Sequence, residues 1–174
     1  MLRHLPPITL TFLLALFNRI WVTGDFPPTW REAIILPFLK SGKSGSLPQD
    51  YRPIALTSCV CKLLERMINP RLMWLLESKS LLSTSQFGYR RARSTAEPLS
   101  RLDTYITTAF ARQESVIAVF FDLEKAYDTT WRYHILQQLS SINLRGNMGV
   151  FLAHFLQNRS FRVKVASFIS PSFP

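Results

Sequence analysis

The sequence predicts a mixed α/β fold built as one continuous body, and three observations carry that prediction. Apolar residues recur at helical spacing in several stretches, as in Val60, Leu63, Leu64, Met67 and Ile68. Short β-like runs lie between them, at residues 33–39, 51–56 and 116–123. Hydrophobic residues make up 47% of the 174, against only 11 Pro and 6 Gly, which excludes a disordered chain and supplies a core. No repeat, low-complexity tract or linker interrupts the chain.

Taken in order, a helix is expected over residues 9–22, ending near Gly24, with Pro27-Pro28 setting a new direction. The apolar run 8–17 follows Arg3 and His4 in the manner of a signal-peptide core, but Asn18 and Arg19 interrupt it. That is too early for a membrane span of ~20 residues, so a buried helix is the expectation. Residues 33–39 read as a strand, and Pro37, which lacks a ladder donor, places it at a sheet edge. Gly42, Gly45 and Pro48 mark a loop over 41–50, and 51–56 returns as a second strand. The pair forms a finger whose basic tip carries Lys40, Lys43 and Arg52.

Thr57 or Ser58 caps a second helix, which Pro70 ends or kinks before Leu72, Leu75 and Leu76 continue its stripe. Ser94-Thr95-Ala96-Glu97 fits a capping box opening a third helix, buried through Leu99, Leu102, Ile106 and Phe110, with Pro98 awkwardly placed. Residues 116–123, apolar on both faces, read as a central strand of a covered sheet. Trp131, Ile135, Leu139 and Ile142 mark a fourth helix, and Phe161, Val163 and Val165 alternate with Arg162 and Lys164 as a half-buried strand.

Composition narrows the partners. A net charge of +10 favours a polyanion, nucleic acid before acidic membrane. Cys59 and Cys61 are too close in sequence to bridge easily and complete no zinc site, so a reduced, intracellular protein, cytoplasmic or nuclear, is expected. His4, His134 and His154 lie apart and form no ligand pair. The sequon Asn158-Arg159-Ser160 matters only in a secreted chain. Gly42-Lys43-Ser44 has the look of a P-loop ending, yet Pro37 stands where that motif requires glycine.

The most telling stretch is Val116-Ile117-Ala118-Val119-Phe120-Phe121-Asp122-Leu123, which delivers Asp122 to the end of an apolar run, with Tyr127 five positions later. On the residues alone, Asp122 reads either as a turn cap or as a metal ligand. An unpaired charge leaving so apolar a run is costly without one or the other. This stretch resembles the first carboxylate motif of the reverse-transcriptase palm, in its non-LTR (LINE-type) retrotransposon form. Further segments carry the same resemblance: Gly24-Asp25-Phe26-Pro27-Pro28-Thr29-Trp30-Arg31, Ile34-Ile35-Leu36-Pro37-Phe38-Leu39-Lys40 and Asp50-Tyr51-Arg52-Pro53-Ile54-Ala55-Leu56. Lys62-Leu63-Leu64-Glu65-Arg66-Met67-Ile68 with Arg71-Leu72, and Gln86-Phe87-Gly88-Tyr89-Arg90 with Ser94-Thr95, follow in the family's order.

The resemblance implies right-hand polymerase fingers and a partial palm, truncated before the second carboxylate motif: an N-terminal helix at 1–23, a fingers-like region at 24–114 and palm at 115–174, together one incomplete reverse transcriptase domain. It implies that Asp122 is the catalytic carboxylate, binding Mg2+ or Mn2+ with the Leu123 carbonyl. Tyr127 would pack under the incoming sugar, with a core aromatic as the plainer role. Arg52 would clamp the triphosphate, aided by Lys40, although either is otherwise a surface charge. Gln86 and Arg90 would line the template track. The partners implied for the complete enzyme are an RNA template, a DNA primer and deoxynucleoside triphosphates, without a membrane. Two departures stand out. Ala92 occupies a position where the family commonly has glycine, and the second motif, Tyr/Phe-Ala-Asp-Asp, occurs nowhere. Residues 129–174 contain no Asp or Glu at all. One carboxylate cannot hold two metals about 4 Å apart, so the chain alone is expected to bind metal weakly and to extend no primer. The alternative is a non-catalytic, basic nucleic-acid-binding module.

Overall fold

The computed structural model describes residues 4–124, 126 and 129–174. They contain five α-helices and a four-stranded mixed sheet, as the α/β prediction requires. The chain divides into two compact units, residues 1–69 with 132–174, and residues 70–131.

In the first unit, helix α1 (Pro7–Thr23) starts with proline, whose missing N–H is no loss at a helix start. It ends on Gly24 in the left-handed conformation (φ 70°), whose N–H donates to the Ile20 carbonyl at 2.8 Å. Glycine is needed there twice over, because a Cβ would also meet the His154 ring at 2.8 Å. The helix is apolar nearly all round, yet only Phe17 and Ile20 are buried, while Ile8 and Phe12 are 64% and 71% exposed. The expectation of a buried helix therefore holds for its C-terminal turns alone. Among the described residues, no helix is long and apolar enough to cross a membrane.

The sheet runs in the order β2-β1-β3-β4, from β1 (Glu32–Leu39), β2 (Tyr51–Leu56), β3 (Ser160–Val165) and β4 (Phe168–Ile169). β1 pairs antiparallel with β2 and parallel with β3, so it is an interior strand and not the edge that Pro37 suggested. The reason lies in the register. Lys40 N–H donates to the Asp50 carbonyl at 2.8 Å, which makes every second pair from there a hydrogen-bonded one. Pro37 faces Pro53 between those pairs, and on its other side the pairing with β3 stops at Ile35. Neither proline is asked for the donor it lacks. Arg162 Nε donates to Glu32 Oε1 at 2.8 Å and ties β3 to β1.

The core of this unit is Phe17, Ile20, Phe26, Trp30, Cys61, Leu64, Ile68 and Phe151. Helix α2 (Cys59–Ser78) is capped by Ser58, whose Oγ accepts from Cys61 N–H at 3.3 Å, and it carries on through Pro70. Two further helices follow, α4 (Arg132–Ser141) and α5 (Asn147–Leu156). α5 is not among the elements expected from the sequence, where Gly149 in its first turn weakens the helical signal. Its Phe151 is 2% exposed and lies 5.0 Å, centroid to centroid, from Phe26.

In the second unit, helix α3 (Ala96–Ala111) accommodates Pro98 in its first turn, where backbone N–H groups have no intrahelical acceptor. The expected capping box does not form, because Glu97 pairs with Arg93 at 3.0 Å and Thr95 makes no side-chain cap. Residues 116–123 are not the central strand that their composition predicted. They form no strand among the described residues, and Ile117, Phe120 and Phe121 are 90%, 81% and 92% exposed. β propensity expresses packing against neighbouring strands more than an intrinsic backbone preference, and here no neighbour is paired. The place beside β1 belongs to β3.

Candidate functional site

The residues proposed for substrate contact fall in both units, and each set has its own geometry. In the first unit the β1–β2 hairpin carries Lys40 and Arg52. Arg52 stands across from Phe38 in the register. Its side chain is exposed and has no hydrogen-bonded or ionic partner among the described residues. Phe38, Ile54 and Leu56 share its face and are 51%, 45% and 47% exposed. A free guanidinium on an open, partly apolar sheet face can meet a phosphate and an apolar surface together. Lys40 differs, since its ammonium donates to the Gln49 carbonyl at 2.8 Å across the neck of the loop. Two of its three N–H donors remain for a ligand.

Between these residues, loop 41–50 folds around the carboxylate of Asp50, which is 9% exposed. One oxygen, Oδ2, accepts from Gly45 N–H at 3.1 Å, Leu47 N–H at 3.3 Å and the Ser44 hydroxyl at 3.3 Å. Gly45 adopts φ 80°, and the Tyr51 hydroxyl donates to its carbonyl at 3.1 Å. A Cβ on Gly45 would lie 2.9 Å from that hydroxyl oxygen. The sequence reading assigned Asp50 no role. Its signal is a short polar side chain just after a Gly/Ser/Pro loop, the pattern by which such residues bond nearby backbone.

The strand edge opposite the hairpin is held by charge. Hydrogen bonds from Arg162 and from the Ser172 hydroxyl hold the Glu32 carboxyl below its usual range. Deeper in the unit, burial first and then the Glu65 carboxylate push the Cys61 thiol up to about 12, with Sγ donating to Glu65 Oε1 at 3.4 Å. Arg159 donates to the Phe155 and Trp30 carbonyls at 2.7 and 3.2 Å and lies 4.1 Å from the Phe155 ring centroid. Burial pulls its guanidinium below the usual arginine value. The Glu32 and Arg159 contacts tie elements of the unit together.

In the second unit, Arg90 makes a fork to Glu77, Nε to Oε1 at 2.8 Å and Nη2 to Oε2 at 2.6 Å. It also donates to the carbonyls of Ser83 and Gln86 at 2.7 and 3.2 Å, and its side chain is 9% exposed. The Arg90 hydrogen bonds hold the Glu77 carboxyl low and Glu77 holds the Arg90 guanidinium high. Arg90 thus closes the turn that carries Gln86 and has little left for a ligand. Gln86 itself is exposed. Next to it, the guanidiniums of Arg93 and Arg101 lie over the Phe87 ring, 5.6 and 4.9 Å from its centroid. Ala92 has φ 57°, the left-handed region that suits glycine.

Asp122 and Leu123 are both exposed, and Leu123 is 79% so. Tyr127 lies outside the described residues, as does Asp128. Among the described residues, no three His, Cys, Asp or Glu side chains gather to hold a metal ion. The donor set on hand, one carboxylate and one carbonyl, does not fit a two-metal centre, which needs several oxygen ligands on rigid elements.

Residues 39–170 match the family described as reverse transcriptase (RNA-dependent DNA polymerase). The chain is 35% identical over 164 residues to the probable RNA-directed DNA polymerase from transposon BS of Drosophila melanogaster, covering 94% of this chain and 18% of that protein. To the RNA-directed DNA polymerase from mobile element jockey of the same species it is 30% identical over 173 residues, 99% of this chain and 19% of that protein. The Pol polyprotein from the type-1 retrotransposable element R2 of Popillia japonica is 28% identical over 146 residues, again 19% of its length. The chain therefore spans under a fifth of each of these relatives. With the match reaching from the end of β1 to β4 and the hairpin intact, the chain belongs to the reverse transcriptase family, on its non-LTR retrotransposon branch.

Proposed function

We propose that this chain supplies the nucleotide-facing hairpin and the first carboxylate of an RNA-directed DNA polymerase, the rest of the catalytic centre coming from sequence this chain does not contain. In that reading residues 24–114 belong to the fingers and 115–174 to the palm. Arg52 grips the triphosphate of an incoming deoxynucleotide and Lys40 assists. Gln86 lies toward the RNA template, and Arg90 acts on it by closing the turn. Asp122, with the Leu123 carbonyl, contributes to holding Mg2+ or Mn2+ in the complete enzyme, and Tyr127 contacts the sugar. The enzyme works inside the cell, in cytoplasm or nucleus.

The observation that carries this reading is the Tyr51-Arg52-Pro53-Ile54 strand, which leaves one unpartnered guanidinium on an open face beside the ordered turn that Asp50 closes. A chimera tests it. Residues 39–170 of this chain replace their counterpart in the jockey polymerase, and primer extension is measured on an RNA template with magnesium. Extension is expected, with Arg52→Ala raising KM for deoxynucleotides and Asp122→Asn lowering kcat on the order of a hundredfold or more. A chimera whose activity survives Asp122→Asn removes Asp122 from the site.

The net charge of +10 supports a second reading, a basic module that binds nucleic acid without catalysis. The chimera and the chain alone, titrated with RNA across a salt series, together separate the two. RNA binding by the chain with a steep salt slope, beside a chimera that extends no primer, is the signature of the module.

A further inference from the structure

We infer that Asp50 is a positioning residue for polyphosphate binding, the internal anion that folds loop 41–50 back on its base and so presents Arg52 and Lys40 already ordered. The inference rests on the triphosphate reading of Arg52. Three donors, Gly45 N–H, Leu47 N–H and the Ser44 hydroxyl, converge on one oxygen of a carboxylate that is 9% exposed. No cation pairs with that carboxylate among the described residues, so backbone and hydroxyl dipoles are what hold its charge.

Loop 41–50 has the glycine- and serine-rich composition of a phosphate cradle. Loops of this composition bind phosphate when successive N–H groups point outward into a concavity. Here the concavity is filled from within, because the amides of Gly45 and Leu47 are turned onto Asp50. An external polyanion must therefore be met by side chains, and the two nearest the neck are Lys40 and Arg52. Asp50 joins both. Its carbonyl accepts from Lys40 N–H at 2.8 Å, while the preceding carbonyl, of Gln49, accepts from the Lys40 ammonium at 2.8 Å. Arg52 follows two residues later at the start of β2. The Tyr51 hydroxyl on the Gly45 carbonyl adds a second tie across the same loop. The entropy of ordering a basic tip is thus met on folding, and a polyphosphate binds without meeting it again.

The test titrates the full chain and its Asp50→Ala, Asp50→Asn, Gly45→Ala and Arg52→Ala variants with inorganic triphosphate, while amide spectra follow Gly45 and Leu47. Arg52→Ala is expected to weaken binding about tenfold or more, the loss of one charge-assisted pair. Asp50→Ala and Gly45→Ala are expected to weaken it several-fold with the helical core unchanged by circular dichroism, and Asp50→Asn, which keeps an acceptor oxygen, less. Formate added to the Asp50→Ala chain is expected to return the Gly45 and Leu47 amides toward their original shifts and to restore triphosphate affinity, which a general loss of stability would not permit. If Asp50→Ala binds triphosphate as tightly as the unmodified chain, or more tightly because phosphate enters the emptied concavity, the inference is overturned while the Arg52 reading stands. If the unmodified chain and Arg52→Ala bind equally weakly, both are overturned together.

Discussion

Pro37 and Pro53 face each other across the β1–β2 pair, at a position where neither backbone nitrogen is needed by the other strand. The hydrogen-bonded pairs fall one residue to either side, at Leu36 with Ile54 and at Phe38 with Arg52. Two residues that break most sheets are thus accommodated in neighbouring strands, one interior and one at the edge, in a frame that tolerates both.

The frame can be checked by moving the proline one step. Pro37→Ala is expected to change stability by no more than ~1 kcal/mol, mainly through the freer unfolded chain. Leu36→Pro removes a donor from a hydrogen-bonded pair and is expected to cost about 3 kcal/mol or more. Denaturant titration of both variants measures the contrast, and equal losses would refute the register.

The Glu77–Arg90 fork makes stability depend on acid in a known direction. The folded Glu77 pKa lies below its ordinary 4.5 because Arg90 hydrogen-bonds the carboxylate. The pair's contribution is therefore present above 4.5 and lost as pH falls through the lower folded value. Melting temperatures of the native chain and Glu77→Gln should differ at pH 7 and converge toward pH 3. A difference that persists unchanged in acid contradicts the fork.

Cys59 is exposed whereas Cys61 is buried, its thiol pushed up to about 12. At pH 8 a thiol-specific disulfide reagent should modify Cys59 alone in the folded chain and both cysteines in denaturant. Peptide mass mapping reads the outcome, and fast native labelling of Cys61 would place it outside the core.

Ala92 sits at φ 57°, where an L side chain is strained by roughly 1–2 kcal/mol. Ala92→Gly relieves that strain but adds freedom to the unfolded chain, so a gain of about 1 kcal/mol is expected. Unchanged or lower stability by chemical denaturation would mean that the turn is held in another conformation.

The sequence by itself determined the family, the α/β class and the local geometry around its punctuating residues. Gly24 ends α1, α2 is capped at Thr57 or Ser58 (the structure uses Ser58), and the glycines and Pro48 mark the tip between β1 and β2, because those preferences act within a few residues and need no partner. It also flagged Ala92 as out of place, which its positive φ explains. Tertiary structure alone decided matters of pairing. That β1 is an interior strand depends on β3, more than a hundred residues away, and its parallel register leaves no local trace. That 117–123 is exposed coil follows from the absence of a paired neighbour among the described residues, because a strand's hydrogen bonds are all made to another segment. The same distinction separates Arg52 from Arg90. Both stand in motifs that imply ligand contact, but the acceptors provided by Glu77, Ser83 and Gln86 engage Arg90, and none among the described residues engages Arg52. Charge is written in the sequence, whereas whether it is free to bind is set by which acceptors folding brings within reach.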